Sequence, residues 1–210
     1  MQENNLPVNE INPPIPEQGG KSPWGKFIKK GLFIVGFIFV CMVIAYLLSQ
    51  ALFATVPIKG PSMEPTLYTN DRVLLFKLSN YRYGDVVVFK SDLIDEDGDN
   101  KYLVKRIIGL PGDTVEIKKD SSGEYSVYLN GERLIEDYLD DIEPHAEETL
   151  ELMTVPEGQF FFLGDHRTQS TDSRTGILGD LEEIVGRAFL KYHGEDFFNE
   201  LTPIPRVKSK

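Results

Sequence analysis

Residues 31–58, GLFIVGFIFVCMVIAYLLSQALFATVPI, run for 28 positions without a charged side chain. At about 1.5 Å of rise per residue, a helix of that length exceeds a ~30 Å hydrocarbon core. The run therefore predicts a transmembrane anchor, read with its basic flank as residues 26–56. A secretory leader has an apolar core of only about 7–15 residues, although SQA at 49–51 does resemble a small-x-small cleavage site. The preceding tail, to about residue 25, is rich in Pro, Asn, Glu and Gly and lacks apolar periodicity, which reads as disorder. Lys26, Lys29 and Lys30 lie just before the span and only Lys59 lies close after it. Positive residues stay inside, so the tail is expected in the cytoplasm and everything from about residue 57 outside the cell membrane.

Beyond Pro57 the period changes. RVLLF (72–76), DVVVF (85–89), YLVKRIIG (102–109), TVEI (114–117), YSVYL (125–129), FFFL (160–163) and GRAFLKY (186–192) are short, β-branched or aromatic, and separated by turn residues, the signature of strands. Asn130-Gly131 between YSVYL and ERLI predicts a hairpin. LGDLEEIVG (178–186) is the one short helix expected. The pattern implies a mostly β, antiparallel domain over residues 57–200, followed by a short tail at 201–210.

Composition narrows the chemistry. The net charge is −11, and with +1 on residues 1–30 the remainder carries −12, so a nucleic-acid footprint is absent and the acidity serves solubility. One cysteine, Cys41, excludes an internal disulfide, and one Cys with three His argues against a zinc cluster. Cys41 sits in the apolar run, where it reads as a small hydrophobe. The acidic stretch DLIDEDGDN (92–100), aligned on Gly98 as a calcium loop, puts Leu93 at position 1 and Val104 at position 12. Both should be carboxylates, so it reads as a solvated loop.

GPSMEPTL (60–67) follows the span and raises the question of what activates Ser62. A hydroxyl nucleophile needs a base. G-x-S-x-G, S-x-x-K and HExxH are absent, which leaves a base remote in sequence: His145, His166, His193 or a lysine. Lys105 stands out because it lies in the β-branched run YLVKRIIG. Strand neighbours alternate faces, so Lys105 and Arg106 point opposite ways and one of them can face the interior. A buried lysine loses its charge and becomes a base; alternatively its stem packs while its head reaches solvent. GDHRTQSTDSR (164–174), directly after FFFL, is either a surface loop or a scaffold for a site.

Taken together, these stretches resemble the bacterial type I signal peptidases, membrane-anchored serine proteases with a Ser–Lys dyad. PSMEPTL is similar to the nucleophile box S-M-x-P-T-L, YGDVVVF to the strand G-D-[IV]-V-V-F, YLVKRIIGLPGD to the lysine box K-R-[IV]-[IV]-G-x-P-G-D, and GDHRTQSTDSR to G-D-N-R-x-x-S-x-D-S-R. The boxes occur in the family's order, and the resemblance runs from Lys26 to Tyr192.

The resemblance implies that Ser62 attacks the scissile carbonyl while neutral Lys105 takes its proton. It implies that Ser170 hydrogen-bonds the lysine amine, that Asp172 and Arg174 pair to brace their loop, and that the Ser62 N–H helps to hold the oxyanion. Some relatives carry a serine donor two residues before the nucleophile; here Gly60 stands there, and the second donor is unassigned. His166 replaces the family's Asn and, beside Asp165, invites a Ser–His–Asp reading, against which a tolerated substitution is preferred. About 50 residues separate the lysine box from the last box, which implies the compact, single-span form resembling Gram-positive enzymes. The implied substrates are signal peptides with small residues at the first and third positions before the cut. The lipid bilayer is the implied surrounding, with no cofactor, no metal and no nucleic acid; the oligomeric state is left open. The competing readings are a self-cleaving regulator protease and a catalytically inactive relative that binds or assembles proteins at the membrane.

Overall fold

A computed structural model of the chain describes residues 24–78, 80–94, 100–121, 123–139, 149–194 and 201–204. The core of the rejected calcium loop (95–99), His145 and the tail before Trp24 lie outside them. The chain divides into two compact units, Met1–Tyr46 and Leu47–Lys210.

Helix α1 spans Trp24–Leu52. Its stretch Phe27–Leu52 is long and apolar enough to cross a membrane, with mean hydropathy 2.8 and none of its apolar window buried. The uncharged run does not continue as helix to residue 56. It divides at Leu52, and Phe53–Pro57 forms strand β1. The reason is a partner: β2 (Asp71–Phe76) pairs antiparallel with this segment, from Phe53 opposite Phe76 to Pro57 opposite Arg72, and the β-branched Thr55 and Val56 suit the pleat. The Lys77 N–H donates to Leu52 O at 2.9 Å and Lys77 Nζ to Gln50 O at 3.0 Å, satisfying carbonyls that the helix end leaves without partners.

The remaining strands are β3 (Val86–Ile94), β4 (Asn100–Gly109), β5 (Thr114–Lys119), β6 (Tyr125–Leu129), β7 (Glu132–Arg133), β8 (Leu150–Thr154), β9 (Gln159–Leu163), β10 (Gly179–Asp180), β11 (Ile184–His193) and β12 (Thr202–Pro203). The larger sheet has the order β1-β2-β11-β3-β4-β9-β10, with β12 on β11, and the smaller has the order β7-β6-β5-β8. Every pairing is antiparallel. All seven strands expected from the hydrophobic pattern are present. Asn130 and Gly131, both at positive φ, form the two-residue turn that joins β6 to β7. The expected helix at 178–186 is instead β10, a single 3-10 turn at Leu181–Glu183, and the start of β11. There the β-branched Ile184 pairs with Phe89, and the Leu181 N–H bonds Gly158 O.

Strand β3 explains how one sheet serves two cores. Val86 and Val88 pack with Ile58, Met63, Leu67, Val73 and Leu75, whereas Val87 and Phe89 pack with Ile107, Phe160 and Phe162. Apolar side chains at consecutive positions are what a strand covered on both faces requires. A third cluster joins the sheets: Ile108, Phe161 and Leu163 pack against Val115, Ile117 and Val127.

Candidate active site

The nucleophile segment is the connection between β1 and β2. Met63 and Leu67, four apart and both fully buried, plug it into the core like one helical turn, and the Leu67 N–H donates to Met63 O. The Glu64 N–H closes on Pro61 O at 3.0 Å, and Lys191 Nζ donates to Thr66 O at 2.7 Å. Ser62, between these anchors, remains half-buried. Gly60, just ahead of it, has φ +87°, and a Cβ there would meet nothing within 4 Å. It turns the backbone toward Ser62 without offering a side-chain donor.

Lys105 comes from the middle of β4, opposite Val87. Its Nζ lies 2.6 Å from Ser62 Oγ, and the residue is 3% exposed. Burial lowers its pKa from 10.5 to about 8; Asp172 and Asp165 oppose that fall, and Lys101 adds slightly to it. Desolvation penalises the ammonium, so a proton donor in its charged form becomes an acceptor for the Ser62 hydroxyl when neutral.

Strand alternation leads one to expect one of Lys105 and Arg106 to face inward, and both are buried. Arg106 donates through Nε and Nη2 to the two oxygens of Asp165 at 2.9 and 2.6 Å, through Nη1 to Gly84 O at 2.8 Å, and through Nη2 to Thr66 Oγ1 at 3.2 Å. It therefore ties the lysine strand, the nucleophile turn and the last motif loop together. Sequence reasoning missed this role, although a second cation inside the same apolar run was a signal for it.

The loop 164–174 is a scaffold. Asp172 accepts from Arg174 Nε at 2.8 Å and Nη2 at 3.0 Å, and from the Gly164 N–H at 3.0 Å. The Ser173 hydroxyl accepts from the Phe162 N–H at 3.0 Å. Gly164 is wedged at the centre: a Cβ on it would overlap Ser170 Oγ and stand 2.5 Å from Ser62 O. Ser170 Oγ is buried with no hydrogen-bond partner among the described residues, so the expected bond to Lys105 is not formed. His166 contributes its backbone, whose N–H donates to Ser62 O at 3.1 Å. Its ring does not meet Asp165, which Arg106 occupies; the carboxylate opposite His166 Nδ1 is that of Glu64, 3.9 Å away. The Ser–His–Asp arrangement is thus not assembled.

Residues 32–193 match the family model described as signal peptidase, peptidase S26. The chain belongs to that family. Its similarity extends to signal peptidase I of Bacillus licheniformis, 37% identical over 161 residues that cover 71% of this chain and 81% of that protein. Signal peptidase I S of Bacillus subtilis (strain 168) is 34% identical over 177 residues, 78% and 88% of the two chains. Among solved structures, a signal peptidase I from Enterococcus faecalis V583 is 30% identical, matching 52% of this chain and 97% of that one with a TM-score of 0.42. In this peptidase S26 chain all four motif boxes fall within the matched residues.

Proposed function

We propose that the chain is a membrane-anchored serine endopeptidase that removes signal peptides from exported preproteins, with Ser62 as nucleophile and Lys105 as general base. The observation that carries the reading is the 2.6 Å approach of a buried, pKa-lowered lysine amine to the Ser62 hydroxyl. Family membership and the signal peptidase I relatives support the substrate class.

In the mechanism, neutral Lys105 accepts the hydroxyl proton as Ser62 Oγ attacks the carbonyl carbon of the scissile peptide. The resulting oxyanion is held by the Ser62 N–H, a donor of a kind that contributes roughly 3–4 kcal/mol to transition-state stabilisation. The Lys105 ammonium then returns the proton to the leaving amine. Water, deprotonated by the same amine, hydrolyses the acyl-enzyme and frees Ser62. Asp172 and Arg174 hold the loop that carries Ser170, whose hydroxyl lies against Gly164 and makes no bond to the lysine amine. The helix anchors the chain in the bilayer with its lysine-flanked end inside, so a substrate held in the same membrane meets the enzyme at high effective concentration. Substrates dock as a strand and present small residues at the first and third positions before the cut.

The test is cleavage of a labelled preprotein by the detergent-solubilised chain beside Ser62→Ala, Lys105→Ala and His166→Ala. The first two are expected to abolish cleavage and the third to retain most of it. Retention in Lys105→Ala with loss in His166→Ala contradicts the dyad, and a folded but inert wild type contradicts the enzymatic reading.

A further inference from the structure

Outside the four motif boxes, the segment that follows β7, Leu134–Leu139, reaches back to the site. It is pinned at both ends: the Leu134 N–H donates to Val127 O at 2.9 Å, and Leu139 is buried. Between those pins, the Glu136 carboxylate accepts from Arg167 Nη2 at 2.5 Å, from Arg167 Nη1 at 3.1 Å and from the Tyr138 hydroxyl at 2.5 Å. The same guanidinium donates Nε to Gly164 O at 3.1 Å, and Gly164 is the residue wedged against Ser62 O and Ser170. The Tyr138 ring lies 3.9 Å from the Cζ of Arg106, next in sequence to Lys105. The segment thus grips two buried arginines, Arg167 on the Gly164 carbonyl and Arg106 on the Asp165 carboxylate.

Charge makes this grip consequential. Arg106 and Arg167 are two buried cations, and Asp165 supplies one counter-charge; Glu136, with 8% of its side chain exposed, supplies another. A buried ion left without its partner is strongly unfavourable, so the Glu136 carboxylate helps to hold the Arg167 guanidinium where its Nε reaches Gly164 O. Burial and the neighbouring Glu136 hold the Tyr138 hydroxyl well above its ordinary pKa, so it stays protonated and donates.

We propose that Glu136 and Tyr138 are positioning residues for the Ser62–Lys105 pair, transmitting the seating of the smaller sheet through Arg167 and Arg106 to the peptide that carries Gly164. The inference rests on the reading of Ser62 and Lys105 as the reacting pair. Neither residue touches the reacting atoms. Glu136 is faced by Arg167, Tyr138, Arg106 and Tyr83, and the Lys105 amine by Asp172, Asp165 and Lys101.

The test compares the full-length wild type with Glu136→Gln, Glu136→Asp and Tyr138→Phe in detergent, measuring kcat and KM on a peptide with small residues before the cut, and the pH dependence of both. Glu136→Gln keeps the shape and removes the charge. Its kcat is expected to fall about tenfold or more while KM stays within roughly twofold. Its acid limb should move to lower pH, because a loosened 164–174 loop carries Asp165 and Asp172, the anions that face the Lys105 ammonium, away from it. Glu136→Asp should recover part of the kcat. A folded Glu136→Gln with wild-type kcat and limb, or one altered in KM alone, overturns the proposal. If that variant does not fold, Tyr138→Phe decides, since it keeps the ring and loses one hydrogen bond: lowered kcat at unchanged KM supports the proposal, and wild-type kcat overturns it. The titration of Lys105 Nζ, followed by NMR of 15N-lysine protein, separates the two failures. A wild type inert on every preprotein whose Lys105 titration still moves in Glu136→Gln sinks the proposed function and leaves the positioning intact, whereas an unmoved titration overturns the positioning.

Discussion

The 2.6 Å contact between Lys105 Nζ and Ser62 Oγ joins the middle of β4 to a turn 43 positions earlier in the chain. Met63 and Leu67 seat the serine, β3 and β9 flank the lysine strand, and Arg106 stitches the two together. The lysine's burial lowers its proton affinity, and the same burial makes it costly to keep.

That cost is measurable. The folded pKa of about 8 lies below the ordinary 10.5, so folding works against the ammonium. Below about pH 8 both states hold the proton and the penalty stands in full. Between about 8 and 10.5 only the unfolded chain holds it, so stability rises with pH; above 10.5 the penalty from this group is gone. At about 1.4 kcal/mol for each pH unit separating the folded and unfolded values, the penalty is on the order of 3 kcal/mol. Lys105→Met is therefore expected to be inactive yet more stable than the wild type at neutral pH, by roughly 1–3 kcal/mol in denaturant unfolding. The advantage should shrink as pH rises through that window.

Gly164→Ala tests the wedge. A methyl group there must displace Ser170 or push on the Ser62 carbonyl. The cost expected in thermal unfolding is about 1–3 kcal/mol, with a loss of kcat well beyond what the lowered stability explains. A variant with native kcat would show that Ser62 and the 164–174 loop are not held against each other through this residue.

Arg106→Met leaves Asp165 buried without its guanidinium, and Asp165→Asn leaves Arg106 short of a counter-charge. Each single change is expected to destabilise by about 3–5 kcal/mol. The double variant Arg106→Met/Asp165→Asn should lose less than the sum of the singles, since it leaves neither charge stranded. Strict additivity in a denaturation cycle would contradict the pairing.

His166→Asn should keep most activity. The bond that residue makes to Ser62 is through its backbone N–H, and any side chain that leaves the backbone in place preserves it. This accounts physically for a histidine at a position where the resemblance leads one to expect asparagine.

Much of this architecture was legible in the amino-acid order. Strands β3 and β4 are β-branched runs bounded by turn residues, and the Asn130-Gly131 turn needs positive φ that few residues adopt readily. The end of the apolar helix was not legible, because an exposed apolar helix and the edge strand β1 draw on the same apolar residues; β1 is a strand because β2 supplies a hydrogen-bonding partner. The short helix expected at 178–186 failed for the same reason, since pairing with β3 recruits Ile184. Lys105 stands out as a lysine amid apolar residues, but it is the order of the motif boxes that pairs it with Ser62. Glu136 and Tyr138 do not stand out, since nothing in LIEDYL marks a site until the fold brings Arg167 and Arg106 to it.

The most direct measurement is the pH dependence of kcat/KM on a labelled preprotein, recorded beside the NMR titration of Lys105 Nζ in the same detergent. General-base catalysis by the neutral amine predicts a rate that climbs tenfold per pH unit on the acid side, bends at about 8, and bends where the amine itself titrates. A rate that is already at its plateau while Lys105 is still protonated would contradict the account.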